Sequence, residues 1–255
     1  GLVGWRGMVG SVLLDRMRQC GDFDGIEASF FSTSAAGQAG PTIEGRAHVL
    51  HDAYDLGALK RQDILISCQG GDYTTGIVGK LRDSGYRGYF VDAASTLRLQ
   101  AEAVLVLDPV NLDVIKQGLV DGCKTFVGAN CTVSLMLMGL HGLFAADLVE
   151  WSTSMTYQAA SGAGAANMRE LVAQMATVGD AARDLLADPA ASALALDERV
   201  TETLRSSLLP TESFGAPLAA SLIPWIDKPM ENGQTREEWK AQVEANKILG
   251  RQNPI

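Results

Sequence analysis

Short apolar runs alternate with helix-periodic stretches through the first half of the chain. Strands are predicted at residues 1–3, 27–31, 63–67, 88–91, 104–107 and 124–127, and helices at 8–20, 53–60, 74–83 and 112–119. A run such as Ile64-Leu65-Ile66 is apolar on both faces instead of alternating, the pattern of a strand covered on both sides. Strands of this kind separated by helices predict an α/β fold, a Rossmann-type doubly wound and mostly parallel sheet. The second half changes character. Residues 149–157 alternate like a strand, Gly162-Ala163-Gly164-Ala165 leads into a long helix from Asn167 to about Leu186, and 208–229 reads as loop and strand. Thr235-Arg236-Glu237-Glu238 fits a capping box and opens a last helix to about Leu249. The predicted division is a nucleotide-binding domain over 1–129 and a second, α+β domain over 130–255.

Composition narrows the function classes. The chain has 255 residues, with 21 Lys+Arg against 30 Asp+Glu for a net charge of −9. Such a balance repels phosphate backbones, so nucleic acid is not expected as a partner, and an anionic ligand must be held by a few placed cations and backbone N–H groups. Mean hydropathy is +0.07, and no run approaches the roughly 18 apolar residues of a membrane span. Four cysteines, Cys20, Cys68, Cys123 and Cys131, are scattered without a CxxC or zinc spacing, so neither a disulfide framework nor a metal is expected, and the chain reads as cytoplasmic and reduced. The opening Gly1-Leu2-Val3 reads as a strand already under way, with no signal peptide, and the chain stops at Asn253-Pro254-Ile255 just past a helix. Both ends predict a piece of a longer chain.

Gly4-Trp5-Arg6-Gly7-Met8-Val9-Gly10 joins the first predicted strand to the first helix, where a Rossmann unit sets a pyrophosphate against a helix N-terminus. Its G-x-x-G-x-x-G spacing is weak by itself and fits ordinary strand–helix turns too. The second strand adds a stronger signal. It runs into Ser32-Thr33-Ser34 where an NAD-binding unit carries an acid for the ribose hydroxyls. Hydroxyls without a carboxylate, with Arg6 nearby in the loop, predict NADP; the competing reading is a plain polar turn.

Gly128-Ala129-Asn130-Cys131-Thr132 lies between a strand and an apolar helix, which puts Cys131 at a helix N-terminus. Several free N–H groups there are expected to point at its sulfur, favour the thiolate and hold an oxyanion. A buried structural cysteine is the alternative. Cys20 ends a helix, Cys68 abuts a strand and Cys123 lies in a polar turn, so none of the three is expected to react. His48 and His51 flank a strand–loop junction and His141 lies inside the apolar helix; none makes a convincing general base for Cys131.

On these residues the chain resembles the bacterial aspartate-β-semialdehyde dehydrogenases, the Gram-negative branch in particular. The match is carried by GWRGMVGS (4–11), FFSTS (30–34), CQGGDYT (68–74), DAAS (92–95), LDPVN (107–111), FVGANCTVSLMLM (126–138), TYQAASGAGAANMREL (156–171) and SLIPWIDKPMENGQTREEWK (221–240). The resemblance implies NADPH-dependent reduction of L-4-aspartyl phosphate to L-aspartate 4-semialdehyde with release of phosphate, a step toward lysine, methionine, threonine and diaminopimelate, by a homodimer. It implies Cys131 as nucleophile through a thioacyl intermediate. Arg98, Asn130 and Lys240 would hold phosphate, and Gln158 and Glu237 the rest of the substrate. Arg6, Gly7, Met8, Val9, Thr33, Ser34, Gln69, Ser161, Gly162, Ala163, Gly164, Ala165 and Pro189 would contact the cofactor. It assigns residues 130–255 to a catalytic and dimerisation domain, incomplete at its C-terminal side. Read without the resemblance, Glu237 and Lys240 are a solvated i,i+3 pair. The family's general-base histidine and substrate-carboxylate arginine belong to a later segment outside these 255 residues, which implies impaired turnover for this chain. The alternatives are an N-acetyl-γ-glutamyl-phosphate reductase, whose nucleophile segment would read glycine-cysteine-tyrosine, a glyceraldehyde-3-phosphate dehydrogenase, which would carry an acid at 32–34, and a non-catalytic NADP-binding module.

Overall fold

Seven parallel strands form the frame of the computed structural model, which describes residues 1–251. They are β1 (Leu2–Val3), β2 (Phe30–Ser32), β5 (His51–Asp52), β6 (Ile64–Ser67), β7 (Tyr89–Asp92), β8 (Ala103–Val106) and β9 (Thr125–Gly128), in the order β5-β2-β1-β6-β7-β9-β8. Leu2 pairs with Phe30 on one side and Ile66 on the other, so the first strand made lies inside the sheet. Side chains alternate across it. Leu2 and Phe30 pack with Leu14 and Met17 of helix α1 (Met8–Cys20), whereas Val3 and Phe31 share a second cluster with Ile77 and Leu81 of α3 (Gly71–Asp83). Helices on both faces explain why the strands read as apolar runs. The doubly wound sheet is as expected.

Local chemistry shifts some boundaries. Helix α2 (Leu56–Lys60) starts three residues later than expected because the Asp55 side chain caps it, accepting from the N–H groups of Gly57 and Ala58. A hairpin of β3 (Ala39–Ile43) and β4 (Arg46–Val49) was not predicted. Its two-residue loop, Glu44-Gly45, has positive φ at both positions (48° and 79°), the geometry of a type I′ turn, without the Asn-Gly that announces one. Helix α4 (Leu112–Val120) follows β8, and α5 (Cys131–Ala145) follows β9.

The chain divides into two compact units, residues 1–156 with 237–255, and residues 157–236. The boundary expected near Ala129 falls inside the first unit, because Val133, Leu137 and Phe144 of α5 join the sheet's core, as do Ala245 and Ile248 of the last helix, α9 (Arg236–Leu249). The second unit holds a 3-10 turn (Ala160–Ala163), α6 (Ala165–Ala181), α7 (Arg183–Ala187) and α8 (Ala193–Arg205). The long helix expected to about Leu186 is broken at Ala182. Helix α8, not predicted, is capped by the Ser192 hydroxyl, which accepts from Ala195 N–H.

Two predicted strands are not formed. Residues 149–157 are irregular: Met155 and Tyr157 are 93% and 91% exposed, and no strand among the described residues runs beside them to complete a ladder. The 208–229 stretch is loop, held by side chains of α6, with one isolated bridge between Pro229 and Thr235. The Asn253-Pro254-Ile255 end lies outside the described residues. No helix among the described residues is long and apolar enough to cross a membrane.

Candidate active site

The sheet changes direction at β1, where β2 lies on one side and β6 on the other. Ligands of doubly wound sheets bind in the crevice outside the carboxyl ends of the strands at such a point. Gly4 ends β1 with φ +76°, and a Cβ on it would meet the Cys68 and Gln69 backbone at 2.6 Å. A Cβ on Gly10 would meet the Gly4 carbonyl oxygen at 2.3 Å, so only glycine lets α1 start this close to the strand. Gly7 precedes α1 in extended conformation, and no side chain caps the helix. The amides that open α1 therefore remain for an outside acceptor. Arg6 reaches over Trp5, 5.3 Å from the ring centroid, and Met8, Val9 and Gln69 are exposed. The Ser32 hydroxyl accepts from the N–H groups of Ser34 (3.3 Å) and Ala35 (3.1 Å), which shapes the turn and leaves Thr33 half-buried and Ser34 exposed. No carboxylate stands at 32–34. An uncapped helix start, a close glycine turn and an acid-free second strand fit a phosphorylated dinucleotide.

Asn130 caps α5. Its side-chain oxygen accepts from Thr132 N–H (2.9 Å) and Val133 N–H (3.2 Å). This corrects the expectation of several free amides aimed at Cys131: two of them are already satisfied. What distinguishes Cys131 is exposure at the first position of the helix, with the Thr132 hydroxyl 4.0 Å from its sulfur. Cys68, by contrast, is partly buried, and burial with Asp92 nearby pushes its thiol up to about 11. His141 has a buried Nδ1 without a partner among the described residues.

Helix α9 brings a second group to the same turn. Asn130 Nδ2 donates to Glu237 Oε1 at 2.9 Å, the Thr132 hydroxyl donates to the same oxygen at 3.1 Å, and Lys240 Nζ stands 3.3 Å from Glu237 Oε2. The Glu237 and Lys240 side chains are only 15% and 13% exposed, so the solvated-pair reading does not hold. Arg98 is buried and donates through Nε to Gly128 O (2.8 Å) and through Nη2 to Ala93 O (3.2 Å). Sequence reasoning missed two carboxylates. Asp92 ends β7 fully buried, accepting from the Thr74 hydroxyl (2.8 Å) and Ala94 N–H (3.1 Å); burial raises its pKa, with these bonds and Arg98 pulling it back. Glu244 pairs with Arg98 at 3.1 Å. A signal for Glu244 existed: it falls on the stripe Ala241, Glu244, Ala245, Ile248, where helical spacing puts an acid among apolar residues.

The remaining candidates belong to the second unit. The 3-10 turn and Gly164 (φ +102°) lead into α6, which starts, like α1, without a side-chain cap. Pro189 is exposed beyond α7. Gln158 lines a cavity of about 730 Å³ with Leu171, Met175, Leu218 and Ser221.

Comparison with known proteins follows this layout. Residues 1–118 match the family described as semialdehyde dehydrogenase, NAD binding domain, and residues 140–255 match semialdehyde dehydrogenase, dimerisation domain. Among solved structures, aspartate semialdehyde dehydrogenase from Francisella tularensis is 47% identical with a TM-score of 0.92, covering 100% of this chain and 69% of that one. The chain belongs to the aspartate-semialdehyde dehydrogenase family. Aspartate semialdehyde dehydrogenase II complexed with ASA, from Vibrio cholerae, is 23% identical (TM-score 0.76), and a probable aspartate-semialdehyde dehydrogenase from Pseudomonas aeruginosa is 16% identical (TM-score 0.68); each match covers 98% of this chain and 65% of the other, and shows the shared fold. The chain thus spans about two thirds of the length of the semialdehyde dehydrogenases it matches.

Proposed function

We propose that this family member reduces L-4-aspartyl phosphate to L-aspartate 4-semialdehyde with NADPH, and that Cys131 is its nucleophile. The observation that carries the reading is the meeting of Asn130, Thr132, Glu237 and Lys240 around the turn that presents an exposed Cys131. The two pairs, Asn130 with Thr132 and Glu237 with Lys240, lie more than a hundred positions apart in sequence, and a shared site gives a reason for their convergence. The sulfur attacks the acyl carbon, a C–S bond forms, the bond from that carbon to the phosphate oxygen breaks, and phosphate leaves with its electron pair. Arg98, Asn130 and Lys240 supply donors to phosphate, and Glu237 a carboxylate to the substrate ammonium. By the family resemblance, Gln158 would supply an amide to the substrate. Bound NADPH would supply the hydride that reduces the acyl group; the C–S bond then breaks with its electron pair returning to the Cys131 sulfur, which frees the aldehyde.

By the family resemblance, Arg6, Gly7, Met8, Val9, Thr33, Ser34, Gln69, Ser161, Gly162, Ala163, Gly164, Ala165 and Pro189 would contact the nucleotide. In this reading 1–129 binds the cofactor and 130–255 contributes catalysis and the homodimer contact. All four cysteines are free, in keeping with a reducing cytoplasm.

Two measurements test the proposal. Brief iodoacetamide treatment near neutral pH, read by mass spectrometry, should label Cys131 ahead of Cys20, the other exposed thiol, with Cys68 last; first labelling elsewhere removes the physical support for the nucleophile. Fluorescence titration should show tighter binding of NADPH than of NADH. Arg6→Ala should narrow that gap by roughly 1–3 kcal/mol, the scale of a charge-assisted contact, and equal affinities in the unsubstituted chain refute the NADP assignment.

A further inference from the structure

Helix α9 carries one carboxylate that the proposed chemistry leaves unused. Glu244 is 2% exposed, and its two oxygens serve two different elements: Oε1 accepts from Arg98 Nη1 at 3.1 Å, and Oε2 from the backbone N–H of Asn130 at 2.8 Å. With Nε and Nη2 bound to Gly128 and Ala93, each terminal nitrogen of Arg98 keeps one N–H for a further acceptor. Lys247, one turn further along α9, donates to the carbonyl oxygens of Arg98 and Gln100, both at 2.7 Å. The guanidinium is thus clamped on three edges, and the turn before Cys131 is tied to the same carboxylate.

We propose that Glu244 is a positioning residue for the phosphate-holding groups: from one buried carboxylate it aims the remaining N–H groups of Arg98 and fixes the Asn130 turn. The inference rests on the reading of Arg98 and Asn130 as phosphate-holding. Charge alone would be met by any nearby acid, but here each oxygen has its own donor, and the two donors belong to separate segments that the same ligand must meet together. In Glu244→Gln the amide presents a donor to one of those two donors whichever way it is turned, so one of the two segments is released.

The test is alkylation of Cys131 by iodoacetamide, read by mass spectrometry, across a range of inorganic phosphate with chloride at matched ionic strength. Phosphate should slow labelling of the unsubstituted protein. In Glu244→Gln the half-protecting phosphate concentration should rise roughly tenfold or more, as expected for loss of a charge-assisted contact. Labelling without phosphate should stay within about threefold and thermal unfolding should remain cooperative, which separates positioning from collapse of the fold. An unchanged half-protecting concentration in folded Glu244→Gln overturns this inference and leaves the proposed function intact. Absence of phosphate protection in the unsubstituted protein overturns the phosphate reading of Arg98 and Asn130, and this inference with it. If Glu244→Gln does not fold, Glu244→Asp decides, since it keeps the charge but withdraws both oxygens by one methylene: a raised half-protecting concentration supports positioning, and an unchanged one refutes it.

Discussion

The two units hold themselves together by different means. In the first, buried apolar side chains from strands and helices merge into two continuous clusters, with Phe30, Phe31, Leu65, Phe90 and Val127 almost entirely removed from water. In the second, residues 157–236 contribute to neither cluster, and its buried side chains include Glu170, Gln174 and Thr203. Those polar groups do a specific task. Glu170 accepts from the N–H groups of Ser213 and Phe214, while Gln174 accepts from Leu218 and Ala219 and donates to Pro210, so two side chains one helical turn apart hold a loop that forms no sheet of its own. Meanwhile Val172, Met175, Leu186, Leu194 and Leu208 face outward. The first unit is a core that presents a site, whereas the second is a hydrogen-bonded frame with uncovered apolar surface, in keeping with a segment that matches a dimerisation domain.

Three changes probe this contrast. The largest effect is expected from Leu137→Ala, which opens a cavity in the first unit's core beneath helix α5; denaturant unfolding should show a loss of about 2–5 kcal/mol. A loss below this range means that the core is less continuous than it looks. Gln174→Ala should cost less, roughly 1–3 kcal/mol in all, because of the three groups it releases only the Ala219 N–H is buried while the Leu218 N–H and the Pro210 carbonyl are partly open to water, and the cost should be local. Hydrogen exchange should quicken at the Leu218 and Ala219 amides while the first unit's strands keep their protection; loss of protection in both units would show them to be one cooperative body. The smallest effect is a pH dependence at Cys68. Its folded value of about 11 lies above its ordinary 9.0, so the folded state keeps a proton that the unfolded chain gives up between those values. Stability should be full below about pH 9 and fall as pH rises toward 11, by roughly 1 kcal/mol or less because solvent reaches part of the group. Cys68→Ala should remove that slope, and an unchanged slope assigns it to other groups.

The same contrast governs what the sequence made legible. In the first unit, burial on both faces prints itself as apolar runs, and helix α1 was bounded to the residue. The strand-to-helix turn that carries Cys131 was legible too, because an apolar strand followed by a longer apolar run marks both elements. The Glu44-Gly45 hairpin was not, since its turn lacks the residues that usually announce positive φ. Residues 149–157 show the opposite failure: an alternating pattern states which side a strand would bury, but forming the strand needs a neighbour. The division of labour at Glu237 and Glu244 was beyond pattern altogether. Both lie on α9 and both reach the Cys131 turn, one through side chains and the other through a backbone N–H, and only tertiary packing tells them apart.

That the Cys131 turn is completed by α9 also sets a timetable for synthesis. The ribosome makes the thiol, its capping Asn130 and Arg98 long before it makes Glu237, Lys240 and Glu244. At about 5–20 residues per second, the ~120 residues from Cys131 to the end of α9 take roughly 6–24 s. Through that interval neither α9 carboxylate has been made, so the Asn130 turn cannot be tied to them and Arg98 has no ionic partner from α9. The proposed nucleophile is made early, and the carboxylates that tie down its turn arrive with the last helix.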